Sequence, residues 1–299
     1  MRLADFIFAA RPMLLLPVWS IYLIACKFSY GHARFDFRAL MSLIAVSLIA
    51  VGAHFINQIY DYQTDLINKK LGFLQRGLIS RSEMTAAYIS VSLVGLIAGF
   101  AAGFFTGIIV IALMALGFFY SAPPFRLKDR PVRGALANAI GYGFLLPAAV
   151  PGYMEHLKAS AVSLSVYFFL AVLAVYFLTV IPDREGDRAA GKRTIAVFLS
   201  DRLIILMASA LLCLTICVSY AFGHRDLLIV SIASMCLCLI ALISPGETIV
   251  PFACKMPILL LTILAGLYYP TYLIFVLVLV FLTRVYYRKR FGMKYPRFA

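Results

Sequence analysis

Long apolar runs alternate with short polar segments along this chain. Eight runs close to the roughly 20 residues that cross a bilayer as a helix fall near 13–30, 39–60, 83–103, 107–122, 134–153, 160–182, 202–221 and 226–244. A last apolar stretch extends from Ile249 to Thr283, interrupted by Lys255, Pro257 and Pro270. It reads either as one long broken span or as two short ones. No intervening segment is long enough for a soluble domain. The pattern predicts a single integral-membrane domain over residues 1–299. Its fold class is all-α, a polytopic bundle of about nine or ten transmembrane helices.

Composition agrees. The chain is 63% hydrophobic and 13% charged, with a mean hydropathy of +0.95, against about 45–50% and 25% in soluble domains. A soluble fold cannot bury that much apolar surface, and disorder requires the opposite composition. Asp5 and Arg11 ahead of the first run do not match a cleavable signal peptide.

The net charge of +14 then reads as membrane orientation rather than nucleic-acid binding. With the N-terminus cytoplasmic, the loops 61–82, 123–133 and 183–202 share its side and, with Arg2 and Arg11, carry 15 basic residues. The opposite loops up to Asp226 carry five, namely Lys27, Arg34, Arg38, Lys158 and Arg225. The acid-free tail, with Arg284, Arg288, Lys289, Arg290, Lys294 and Arg297, belongs on the cytoplasmic side by the same rule. That requires an even number of spans, whereas a nine-span reading leaves the tail outside.

Only 13 acids occur in the chain, and five fall in two clusters. Asn57-Gln-Ile-Tyr-Asp61-Tyr-Gln-Thr-Asp65 ends the second run, and Asp183-Arg-Glu185-Gly-Asp187 ends the sixth. Both contain D-x-x-x-D, which places two carboxylates on one helix face. Ionised carboxylates at a membrane boundary are costly. Helix-end acids paired with nearby Arg and Lys are the ordinary explanation for one such cluster. Two clusters on one side of an acid-poor chain point instead to Mg²⁺, which takes one or two carboxylates and completes its shell with water and substrate phosphates. Arg126, Lys128, Lys192 and Arg193 lie in adjoining loops. Topology alone explains most such residues, yet a diphosphate also needs cations of this kind.

An allylic diphosphate suits this arrangement: a greasy tail among apolar helices and a head on metal and cations. Ionisation leaves a carbocation that must be kept from water, and aromatic faces stabilise cations. Tyr60, Tyr62, Phe118, Tyr120 and Tyr142 are candidates, although tyrosine at a boundary is commonly an interface anchor.

These residues resemble the UbiA superfamily of intramembrane prenyltransferases. Asn57-x-x-x-Asp61-x-x-x-Asp65 is similar to its first motif. Asp183-x-x-x-Asp187-x-x-x-Gly191-Lys192-x-Thr194 is similar to its second. Tyr120-Ser-x-Pro-Pro-x-Arg126-x-Lys128 is similar to the loop after its fourth span, and Arg11-Pro12 also fits. The resemblance implies an all-helical fold, usually of nine spans, around a central cavity that opens to the cytoplasmic side. It implies Mg²⁺-dependent transfer of a prenyl group from a polyprenyl diphosphate to an aromatic or lipid acceptor. It assigns Asn57, Asp61, Asp65, Asp183 and Asp187 to Mg²⁺–diphosphate, Arg126, Lys128 and Lys192 to the diphosphate, and Tyr120 to the reacting carbon. Two departures stand out. Gln58 replaces the usual acid after Asn57, and the loop from Asn68 to Arg81 lacks the family's compact N-R-P-x-x-S-G.

Other readings fit less well. A CDP-alcohol phosphotransferase needs its aspartates in one short region, whereas these clusters lie 122 residues apart. A transporter would place its acids near the midplane. A terpene cyclase within the same family stays open. Cys26, Cys213, Cys217, Cys236, Cys238 and Cys254 read as small hydrophobes. His32, His54, His156 and His224 are scattered, and only His54, one turn before Asn57, is placed to face a cavity.

Overall fold

A computed structural model describes residues 2–30, 35–67, 72–153, 159–189, 191–244, 246 and 248–296. Asn68–Leu71 of the altered loop, His32, Arg34, His156, Lys158 and Arg297 lie outside the described residues. The long helical segments are numbered α1 to α10. They are α1 (Leu16–Tyr30, led in by a 3-10 turn, Pro12–Leu15), α2 (Phe37–Tyr60), α3 (Arg81–Ala102) and α4 (Phe104–Ser121). After α5 come α6 (Ala159–Thr179), α7 (Asp201–Ala221), α8 (Arg225–Ile243), α9 (Ile249–Tyr268) and α10 (Pro270–Phe291). Among the described residues, these nine are long and apolar enough to cross a bilayer, and no strand occurs.

The fifth predicted run forms a broken rod, α5. Pro131–Ile140 is α-helical, Gly141–Leu145 is a π turn, and Leu146–Ala148 resumes the α-helix. Its far end is fixed by the Ala149 carbonyl, which accepts from Ser42 Oγ (2.7 Å) and Thr106 Oγ1 (3.3 Å). Ser42 and Thr106 sit near the starts of α2 and α4, whose other ends carry Asp61 and Ser121. The rod therefore runs from one end of the bundle to the other, alongside α2 and α4.

The last apolar stretch is two helices, separated at Tyr269 and Pro270. Proline at the first position of α10 fits a helix start. The end of α10 returns to the N-terminal helix Arg2–Ala9. Phe8 stacks on Tyr286 with ring centroids 3.9 Å apart. Arg290 reaches both oxygens of buried Asp5 at 3.1 Å, and the Tyr286 hydroxyl donates to Asp5 Oδ1. Both ends of the described chain thus lie on one side of the bundle.

Packing follows membrane rules, in which interhelical hydrogen bonds and close contact replace the hydrophobic drive. The central helix is α1. Ser20 Oγ bonds Thr262 (3.1 Å) and Tyr272 (3.0 Å), and Trp19 Nε1 donates to Ser47 (2.9 Å). Exposed Ile97, Phe104, Ile229, Ile243 and Leu277 line the outside, where acyl chains would cover them. All six cysteines are free. Cys26 and Cys238 are buried and the others lie on helices, including Cys254 on α9.

Candidate functional site

The two aspartate clusters meet, though not as stripes on the ends of long helices. The α2 helix stops at Asp61, whose φ and ψ (−92° and 4°) leave the helical region. The short helix Tyr62–Ile67 continues the chain. The four-residue hydrogen bonding persists through the bend: Asp61 N donates to Asn57 O and Asp65 N to Asp61 O, both at 2.8 Å. The spacing of the carboxylates is kept while their direction changes. Of the second pair, Asp187 lies on another short helix, Arg184–Ala189, and Asp183 directly precedes it, with Asp187 N bonded to Asp183 O (2.9 Å).

Between these pairs lies a cleft of about 230 Å³ lined by Asp61, Asp65, Asp183 and Asp187, with Asn57, Tyr120, Lys128 and Lys192. Asp61, Asp65 and Asp187 are buried, and Asp183 is half-buried. Lys128 Nζ sits 2.7 Å from Asp61 Oδ1, and Lys192 Nζ 3.4 Å from Asp187 Oδ1. Burial outweighs the pull of Asp61 and holds the Lys128 ammonium below the usual lysine range.

Local sequence explains each placement. Gly191 adopts φ +68°, a left-handed turn open to glycine, and Lys192 N then returns to Asp187 O (2.9 Å). Arg184 points the other way. It donates to the carbonyls of Ala196 (2.5 Å) and Leu199 (2.8 Å) and pairs with Asp201 (2.6 Å), fastening the acidic helix to the start of α7. Glu185 is exposed and takes no part in the cleft. On α5, Gly134 admits the Tyr176 hydroxyl: a Cβ there would lie 2.6 Å from it and 3.1 Å from Lys128 Cα.

Arg126 stands beside the cleft rather than in its wall. Its Nε is bound to Asp129 Oδ2 (2.8 Å), and its guanidinium is 4.0 Å from Asp61. Gln58 is not a substitute ligand. It is buried, and its amide donates to the carbonyls of Ala9 (2.9 Å) and His54 (3.0 Å). His54 Nδ1 lies 2.9 Å from the Ala10 carbonyl. Together they dock the N-terminal helix so that Arg11, left-handed at φ 55°, enters the cleft wall.

Sequence reasoning missed Tyr176, Thr179, Thr64 and Asn138 as site residues. Tyr176 and Thr179 sit within an unbroken apolar run and leave no pattern; only the fold brings them to Tyr120. Of the proposed aromatics, Tyr120 and Tyr142 line cavities, while Tyr60, Tyr62 and Phe118 pack against the cluster around Phe55 and Phe73.

Below the cleft an apolar cavity of about 210 Å³ descends along α2, α4 and α5 past Val46, Ile49, Leu113 and Leu146. Asn57 and Tyr120 line both spaces, so the polar cleft adjoins the apolar one.

The UbiA prenyltransferase family model matches residues 14–247. The chain belongs to the UbiA prenyltransferase family. A digeranylgeranylglyceryl phosphate synthase of Korarchaeum cryptofilum is 30% identical over 188 residues, covering 61% of this chain and 65% of that one. A probable homogentisate phytyltransferase 2 of Oryza sativa is 33% identical over 192 residues, covering 59% and 48%. The chain thus spans less than two thirds of the length of these relatives. A UbiA homologue from Archaeoglobus fulgidus bound to GPP and Mg²⁺ shares the fold, with a TM-score of 0.68 at 19% identity over 86% of this chain and 96% of that one.

The donor set of this UbiA family member fits Mg²⁺. It is all oxygen: four carboxylates and the Asn57 carbonyl, whose amide nitrogen is taken by Ser121 (3.3 Å). The buried Thr194 hydroxyl in the same wall has no hydrogen-bond partner among the described residues. No three acidic, histidine or cysteine side chains among the described residues close a metal site by themselves.

Proposed function

We propose that this protein is an intramembrane prenyltransferase that moves a prenyl group from a polyprenyl diphosphate to a hydrophobic acceptor. One observation carries the reading: a cleft of four aspartates and flanking cations adjoins, at Asn57 and Tyr120, an apolar cavity. A diphosphate head fits the first space and an isoprenoid tail the second.

Asn57, Asp61, Asp65, Asp183 and Asp187 would hold Mg²⁺, which neutralises charge on the departing diphosphate. Lys128 and Lys192 supply fixed cations to the remaining oxygens, and Arg11 adds a third. Tyr120, at the junction, faces the carbon that loses the diphosphate and offers its ring to the allylic cation. The apolar walls keep water from that cation. The likeness to the homologue bound to GPP and Mg²⁺ supports the donor class and the metal.

The excess of basic residues in the loops on this side of the bundle supports a cytoplasmic position for it. The aspartates stand beyond the ends of α2 and α6 rather than at mid-depth, which supports an enzyme over a transporter.

The test is incubation of purified protein with labelled geranylgeranyl diphosphate, Mg²⁺ and a lipid and quinone-precursor extract. A labelled, acceptor-dependent product supports the reading. Release of a cyclised hydrocarbon without acceptor assigns a cyclase, and unreacted donor across chain lengths contradicts both.

A further inference from the structure

Two apolar cavities adjoin the aspartate cleft. The first, along α2, α4 and α5, meets it at Asn57 and Tyr120. The second, of about 180 Å³, lies among α6, α8 and α9 past Phe168, Val172, Val230 and Leu261, and meets the cleft at Tyr176 and Thr179. The two cavities share Asn138 and Tyr142 as walls.

The first cavity has a defined depth. Its far end lies at Val46 and Leu146, both buried. One turn beyond Val46, Ser42 joins Thr106 on the Ala149 carbonyl and ties α2, α4 and α5 together. Asn57 and Val46 stand eleven residues apart on α2, which is about 16 Å of helix. Three backbone bonds of an extended chain reach about 3.5 Å, so the four chain bonds of an isoprene unit reach about 4.5 Å. About three to four units, a farnesyl or geranylgeranyl tail, fill that depth.

A longer tail would need the second cavity, and Tyr142 stands between the two. It belongs to the π turn of α5, with Gly141 before it and Gly143 after it. Such turns are rare and recur at functional sites. Both glycines are points of close approach. A Cβ on Gly141 would lie 3.3 Å from the Leu116 side chain of α4, and one on Gly143 would lie 2.5 Å from Phe169 Cα of α6. The turn is thus wedged between a helix that walls the first cavity and a helix that walls the second. Within that turn, Tyr142 is the residue that lines both.

We propose that Tyr142 sets the length of the prenyl chain: its ring partitions the two cavities and confines the donor tail to the depth above Val46 and Leu146. This rests on the prenyltransferase reading and names the donor within it, a farnesyl or geranylgeranyl diphosphate rather than a longer one. Taking the ring away joins the cavities and nearly doubles the apolar space open to the tail.

The experiment uses the full chain in phosphatidylcholine nanodiscs with Mg²⁺. Farnesyl, geranylgeranyl and octaprenyl thiolodiphosphates, which do not ionise, are titrated into the wild type, Tyr142→Phe, Tyr142→Leu, Tyr142→Ala and Val46→Phe. The wild type and Tyr142→Phe, which keeps the ring, are expected to bind the octaprenyl analogue at least tenfold more weakly than the geranylgeranyl one. That gap should close to within threefold in Tyr142→Ala and narrow in Tyr142→Leu, which serves if the alanine variant does not fold. Val46→Phe shortens the cavity from its other end and should favour farnesyl over geranylgeranyl at least tenfold. The same ranking of lengths in every protein overturns the partition, as does tight octaprenyl binding by the wild type. Turnover of the corresponding diphosphates with acceptor extract separates the other roles of the ring. An equal fall in kcat for every donor length would make Tyr142 a support for the cation, and a change in acceptor KM alone would give the second cavity to the acceptor; either result overturns the proposal. Binding without turnover counts against the prenyltransferase reading and leaves the ranking to decide the partition, whereas no binding of any analogue overturns both.

Discussion

Lys128 Nζ stands 2.7 Å from Asp61 Oδ1, with both side chains nearly enclosed. A buried carboxylate stripped of its counter-ion costs about 3–5 kcal/mol, so the pair orders the metal-facing carboxylate as well as supplying charge. Lys128→Met is expected to lower turnover at least hundredfold while the protein still reconstitutes. Lys128→Arg keeps the charge but not the fit beside Gly134, and a loss of tenfold or more is expected. Steady-state kinetics with a fixed acceptor checks both.

Gly134 is the tight point behind that lysine. A Cβ there meets Lys128 Cα at 3.1 Å, the Leu127 carbonyl at 3.2 Å and the Tyr176 hydroxyl at 2.6 Å. Gly134→Ala should reduce kcat by tenfold or more. Adding Tyr176→Phe removes the hydroxyl contact but not the backbone ones, so the double variant should recover only part of the loss.

Gln58 separates a docking role from a ligand role. Gln58→Leu strands the Ala9 carbonyl and should destabilise the protein by about 1–3 kcal/mol, read as a lower melting temperature in detergent. The Mg²⁺ concentration for half-maximal activity should stay within twofold of wild type. A several-fold rise would return Gln58 to the metal shell.

The clamp of Asp5 on Arg290 and Tyr286 predicts where the tail lies. In a background without native cysteines, Lys294→Cys and Arg188→Cys should react with an impermeant maleimide from the same face of the membrane, and Arg225→Cys from the other. Labelling of Lys294→Cys together with Arg225→Cys would contradict that placement. Arg290→Met should also destabilise the fold by about 3 kcal/mol, because Asp5 stays buried without its partner.

Much of this was legible along the chain because a bilayer imposes long apolar runs. The ends of α2, α7 and α8 lie within two residues of the expected bounds. The D-x-x-x-D pairs were legible as well, because acids are rare and the spacing survives in the local hydrogen bonding. Their bend was not. Asp61 leaves the helix where α2 meets the boundary, and no proline or glycine marks the place. Gln58 sits one residue from Asn57 and looks like a ligand, yet the carbonyls of Ala9 and His54, to which its amide donates, decide its role. Tyr176 lies 56 residues beyond Tyr120, and only the fold, which brings the ends of α4 and α6 to one cleft, joins them.

The central claim is that four aspartates from two clusters, one at the bend after α2 and one at the short helix Arg184–Ala189, act together on a metal–diphosphate head. The most direct measurement is release of diphosphate from labelled geranylgeranyl diphosphate by purified protein with acceptor extract, compared among wild type, Asp61→Asn and Asp187→Asn, each with Mg²⁺ and with excess EDTA. The account predicts product only from wild type with Mg²⁺, and at least a thousandfold loss in either variant although each remains folded. Wild-type rates in either variant, or undiminished release in EDTA, would contradict it.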